Sequence, residues 1–108
     1  MPFEKSFKER RKYITSIRHF EAIMDQVMDP NYHRPGKSYL NELVNMEIHL
    51  IRVRATGLPV RRHYREFRRV KKELKRRGVS SSEIRDASAY SRDTADLSLI
   101  LDALGEAR

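Results

Sequence analysis

Apolar residues recur every three or four positions along this chain, in four stretches separated by prolines, glycines and serines. The spacing predicts four α-helices and no strand, since no four-residue alternation is bounded by hairpin turns. The first helix is expected over about residues 3–28. Phe3, Tyr13, Ile17, Phe20, Met24 and Val27 fall at a/d-like intervals, and Phe7, Ile14, Ile23 and Met28 widen the stripe. Over 26 residues such a stripe drifts round the helix, which favours packing on two neighbours.

The second helix is expected over residues 39–55, with Ser38 as N-cap. It carries two adjacent apolar rows. One is Tyr39, Leu43, Met46, Leu50 and Val53; the other is Leu40, Val44, Ile48, Ile51 and Ala55. So wide an apolar surface marks the most buried helix of a bundle. Gly57 is placed for a left-handed C-cap with Leu58 closing over it. The third helix is expected to open at Pro59, whose missing N–H costs nothing in a first turn, and to end at Gly78. Its stripe of Val60, Tyr64, Phe67, Val70 and Leu74 covers only about a third of the circumference, so it should lie peripherally. His63 falls inside the stripe and reads as a core-edge histidine.

Ser80 and Glu83 have the spacing of a capping box, so a fourth helix should begin there. Residues to Leu104 fit one helix with Ile84, Ala87, Ser91, Thr94, Leu97, Leu101 and Leu104 inward and Gly105 as its end. Two short helices breaking near Tyr90 and Ser91 fit as well. Residues 83–97 are similar to a helix-turn-helix pattern, with Ser91 and Thr94 opening the second helix. Ala89, Arg85 and Ser88 depart from it, and Asp93 and Asp96 would repel phosphate. A plain C-terminal bundle or dimerisation helix is the preferred reading.

The chain has 108 residues, which predicts a single all-α domain, a bundle of about four helices. Hydrophobic residues make up 39% and charged residues 35%, a small core for so much charge, and this favours a homodimer. The absence of cysteine excludes disulfides and thiolate metal sites. The N-terminal residues lack the apolar core of a signal peptide, and no apolar run approaches the roughly 20 residues of a membrane span. The expected location is cytoplasmic, with no membrane partner.

Charge changes the picture most. Residues 61–77 hold ten Lys or Arg against Glu66 and Glu73, a net charge of +8, which equals that of the whole chain. Residues 1–60 amount to +3 and residues 78–108 to −3, so the flanks cancel. Concentrated charge weakens a fold by self-repulsion and points to a polyanionic partner. On a helical wheel Arg61, Arg65, Arg68, Arg69, Lys72, Lys75 and Arg76 share one face away from the apolar stripe. Both glutamates lie off that face, within reach of Arg62, Arg69 and Arg77 at i±4.

These seven bases are the expected nucleic-acid-binding residues. Duplex DNA is favoured over RNA, contacted mainly through phosphates, for a small regulatory, packaging or accessory factor. The alternative is an interaction module that docks the same face on an acidic protein as an inhibitor or adaptor. The loop of Asn31, Tyr32, His33, Arg34, Pro35, Gly36 and Lys37 reads as a simple connection. Lys5, Lys8, Arg10, Arg11 and Lys12 form a second basic cluster, diluted by Glu4 and Glu9. Glu42 and Glu47 are candidate buried polar anchors of the second helix. His19, His33, His49 and His63 lack metal-ligand spacing, and the four dispersed glycines form no phosphate loop. No cofactor and no enzymatic activity are expected.

Overall fold

The computed structural model describes residues 7–32 and 38–106. Those residues form four helices and no strand: α1 (Phe7–Met28), α2 (Ser38–Ala55), α3 (Arg61–Arg76) and α4 (Ser81–Glu106). The expectations for Phe3, Glu4, Lys5, His33, Arg34, Pro35, Gly36 and Lys37, and for the side chain of Ser38 as a cap, lie outside the described residues.

The contacts give the topology. His19 of α1 meets His49 of α2 edge-on, with ring centroids 5.0 Å apart, while the Tyr39 hydroxyl donates to the carbonyl of Tyr32 over 2.9 Å. The two helices are therefore antiparallel. Tyr13 donates to the Pro59 carbonyl and Arg77 to the Val27 carbonyl, each over 2.8 Å, so α1 and α3 run parallel. The Ser88 hydroxyl of α4 donates to Glu47 over 3.0 Å, and Arg52 reaches Ser98 and Asp102 further along. Alternate helices thus run up, down, up, down, and α2 packs on all three others.

Phe20, Val27, Tyr39, Leu43, Met46, Leu50, Phe67, Val70, Leu74 and Ile84 form the core. The first apolar row of α2 is buried along its whole length, and the second row is half-buried except for Ala55, which is exposed. The width of that surface is what lets α2 touch every neighbour. The stripe of α1 is narrower than its sequence implies: Phe7 is 81% exposed and Ile14 is also in solvent.

Helix ends follow local chemistry. Gly57 and Gly78 take φ of +76° and +103°, the left-handed conformation that stops α2 and α3. Ser80 and Glu83 form the capping box: the Glu83 amide donates to Ser80 Oγ over 3.1 Å, and the Ser80 amide donates to Glu83 Oε1 over 3.3 Å. The start of α3 differs from expectation. Val60 is its N-cap and makes no side-chain cap, so Pro59 precedes the helix rather than occupying its first turn.

The second half of α4 departs furthest. The helix is continuous through Tyr90 and Ser91, so no turn exists for a helix-turn-helix. The Ser91 hydroxyl donates back to the Ala87 carbonyl over 2.8 Å, which satisfies it inside the helix. Gly105 does not end it; helical geometry runs on to Glu106. Leu97, Leu101 and Leu104 point outward, not inward. The buried positions are Ser91 and Ala95, with Ser98, Leu99 and Asp102 half-buried beside them. Small residues let α4 lie close on α2, and the Arg52–Asp102 pair at 3.2 Å fixes its register there.

Candidate nucleic-acid interface

The α3 helix can present bases in a row because its two faces are chemically separate. Phe67, Val70, Leu74 and His63 are buried. The His63 ring meets Phe20 edge-on at 5.9 Å, and its Nε2 lies 3.5 Å from Glu21. It is the core-edge histidine its position implied. The Nδ1 atoms of His63 and His49 are buried without a hydrogen-bond partner among the described residues. His19, as well as burial, disfavours charge on His49: desolvation depresses its pKa first, then the Coulomb fields of His19 and Arg52. No three potential metal ligands cluster among the described residues.

On the opposite face Arg61, Arg65, Arg68, Arg69, Lys72, Lys75 and Arg76 are all exposed. Arg61, Arg65, Arg68, Lys72 and Lys75 pair with no carboxylate among the described residues. The two acids are drawn to the flank of the helix and occupied there. Arg62 donates to Glu66 over 3.0 Å. Glu73 accepts from Arg76 and from Arg77, not from Arg69, and the hydrogen bonds from Arg76 and Arg77 hold its carboxyl down at about 2. Arg76 is thereby committed to Glu73 and is the most neutralised of the seven. Arg69 faces a cleft with Asp25 and Glu66, again beside acid. The cationic face is therefore narrower than the wheel drew it.

Tertiary packing adds a base that a single-helix wheel could not show. Arg54, from the last turn of α2, lines an open groove with Val60, Arg61, Tyr64, Arg65 and Arg68. The groove has a volume of about 760 Å³, and no carboxylate lines it among the described residues. Burial pushes the Tyr64 phenol above its ordinary pKa, against the pull of the neighbouring Arg54 guanidinium. Four guanidiniums thus converge where α2 ends and α3 begins, and Lys72 and Lys75 continue the row. From Arg61 to Lys75 the row is about 21 Å long, matching about six phosphates of one strand.

The other bases of the chain are differently used. Arg77 lies over the Tyr39 ring at 5.8 Å and is largely buried. Lys71 stands 5.0 Å from the Phe67 ring centroid. Arg52 belongs to Ser98 and Asp102. Glu47 anchors Ser88, and Glu42 accepts from Tyr32 over 3.5 Å, so both act as polar ties of α2. No helix among the described residues is long and apolar enough to cross a membrane. No family model, curated protein or solved structure matches this chain.

Proposed function

We propose that this protein binds nucleic acid, duplex DNA in preference to RNA, through the exposed face of α3. It acts as a homodimeric regulatory, packaging or accessory factor rather than as an enzyme. The observation that carries the reading is the segregation within α3. Among the described residues Arg61, Arg65, Arg68, Lys72 and Lys75 pair with no carboxylate and stand in one row, while Glu66 and Glu73 are held off it by Arg62, Arg76 and Arg77. A surface helix that served solubility alone would alternate sign along its exposed face.

Guanidiniums dominate the near end of the row, and their planar forks suit phosphate oxygens two at a time. Contacts of this kind fix position along the backbone and carry little sequence information. Six of them give a salt slope near −5 on duplex DNA. Anisotropy titrations against duplex DNA, single-stranded RNA and polyglutamate test the reading. Duplex binding well above the polyglutamate control is expected. Polyglutamate binding that equals it would favour an acidic protein partner, and no nucleic-acid binding at about 100 mM salt would reject the proposal.

A further inference from the structure

The outward face of α4 carries a second surface, remote in chemistry from the basic row. Leu97, Ile100, Leu101 and Leu104 are each 57–59% exposed. The only charge between Leu97 and Leu104 is Asp102, which turns inward to Arg52. Covering the stripe would therefore strip water from no charged group.

We infer that this stripe is the seam of the homodimer, with α4 of one copy packed antiparallel on α4 of a second. The inference rests on the dimeric part of the reading above and not on its nucleic-acid part. Three observations select a second copy. The first is self-complementarity. An isologous two-fold contact uses the same patch twice, so its residues must map onto themselves when the direction of the helix is reversed. The steps between the four residues are three, one and three, which read the same in both directions. An axis between Ile100 and Leu101 sets Leu97 against Leu104 of the other copy and Ile100 against its Leu101.

The second is area. Each side chain leaves on the order of 100 Å² in water, so the four expose about 400 Å², as much as the largest apolar patch of an ordinary monomer. Two copies contribute about 800 Å² of apolar surface. At about 60% apolar content the whole interface would reach about 1,300 Å², inside the standard range of roughly 1,200–2,000 Å². The third is charge. Asp86 and Asp93 are exposed and share the outward face with the stripe, about three turns and one turn before Leu97 respectively. A parallel pair would set each against its copy. The antiparallel pair sends the two acidic halves to opposite ends.

The chain has no cysteine, so single cysteines report the geometry cleanly. Sedimentation of the full chain between about 1 and 200 μM is expected to show a monomer–dimer equilibrium. Leu101→Asp should weaken it by at least about 100-fold, with helicity unchanged because the residue is already in solvent. Leu104→Asp serves as the second variant should the first lose helicity. After mild oxidation, a mixture of Leu97→Cys and Leu104→Cys chains should cross-link faster than either alone.

A monomer throughout the range overturns the inference, as does a Leu101→Asp variant that dimerises like the parent. Preferential cross-linking of Leu97→Cys to itself overturns the antiparallel arrangement. A monomer whose stripe is protected from exchange only by an added amphipathic peptide would assign the face to another protein and overturn it too. DNA binding is read separately on the same samples. A monomeric Leu101→Asp that keeps its α3 contacts leaves the nucleic-acid reading standing, whereas a dimer that ignores DNA removes only that reading.

Discussion

The guanidinium of Arg77 donates to the backbone carbonyl of Val27 over 2.8 Å, joining the end of α3 to the end of α1. Arg77 closes the same run of bases as Arg68, yet the two side chains face opposite fates. One is largely buried between a carbonyl, Glu73 and the Tyr39 ring, and the other is in solvent. Arg77→Ala should therefore cost about 1.5–3 kcal/mol of unfolding free energy, as expected for a charge-assisted hydrogen bond. Arg68→Ala should change it by less than about 0.5 kcal/mol. Urea titrations of the two variants check the contrast, and equal losses would refute it.

Glu73 predicts an acid transition. Its carboxyl is held down at about 2 because Arg76 and Arg77 donate to it in the folded state. A group with a depressed folded pKa stabilises the fold above its unfolded value and loses that contribution as pH falls through the folded value. The parent should lose melting temperature between about pH 4.5 and 2 more steeply than Glu73→Gln. Parallel curves for the two proteins would show that the pair carries no stability.

His49 predicts the opposite end of the mild acid range. Burial, and then His19 and Arg52, disfavour its charged form, so the unfolded chain binds that proton more tightly. Stability should fall as pH drops from above 6.5, and His49→Gln should flatten the fall. Thermal melts between about pH 7.5 and 5 read the difference; an unchanged slope in the variant would assign the effect to another group.

Much of this fold is legible in the sequence where periodicity and turn chemistry agree. The wide surface of α2, the narrow stripe of α3, the left-handed Gly57 and Gly78, and the Ser80–Glu83 box all follow from residue type and spacing. The reading fails in the second half of α4, where apolarity does not mark burial. Up to Ser91 the expected inward positions Ile84, Ala87 and Ser91 are buried or half-buried; beyond it α4 meets α2 through Ala95 and Ser98, small enough for close approach, and the large residues Leu97, Leu101 and Leu104 face away. Hydrophobic pattern ranks residues by size as well as apolarity, so it put the wrong face inside. The groove was half legible for a related reason. A wheel orders residues round one axis and cannot show that Arg54, on another helix, arrives beside Arg61 and Tyr64.

The core predicts where stability resides. Leu74 is fully buried on α3, which has fewer packing partners than α2. Leu74→Ala should cost about 2–5 kcal/mol through lost transfer energy and a residual cavity, while Leu104→Ala, at concentrations where the chain is monomeric and the residue is in solvent, should cost less than about 0.5 kcal/mol. Denaturant midpoints at constant m-value separate the two. A large loss at Leu104 in the monomer would place that residue in the fold, not at a seam between copies.

The sharpest prediction concerns the salt dependence of DNA binding, residue by residue. Arg61, Arg65, Arg68, Lys72 and Lys75 are exposed and pair with no carboxylate among the described residues, so each should act on phosphate directly. Changing any one to Ala should weaken binding and reduce the magnitude of the log–log salt slope by about 0.9. Arg54 joins them through the groove, so Arg54→Ala should behave alike although it lies on α2, outside the charged run. Arg62 is engaged by Glu66 and Arg77 by Val27 and Glu73, so neither change should alter the slope by a full contact. Arg69, facing the cleft with Asp25 and Glu66, should give a smaller loss. Glu73→Gln removes the carboxylate that occupies Arg76 and should strengthen binding. The gradation matters more than any single value, because a diffuse cationic cloud would weaken evenly with every charge removed. Equal effects at Arg62 and Arg68 would rule out a defined phosphate row. Normal binding by the α3 variants with loss at Arg10 or Arg11 would move the contact surface to the start of α1.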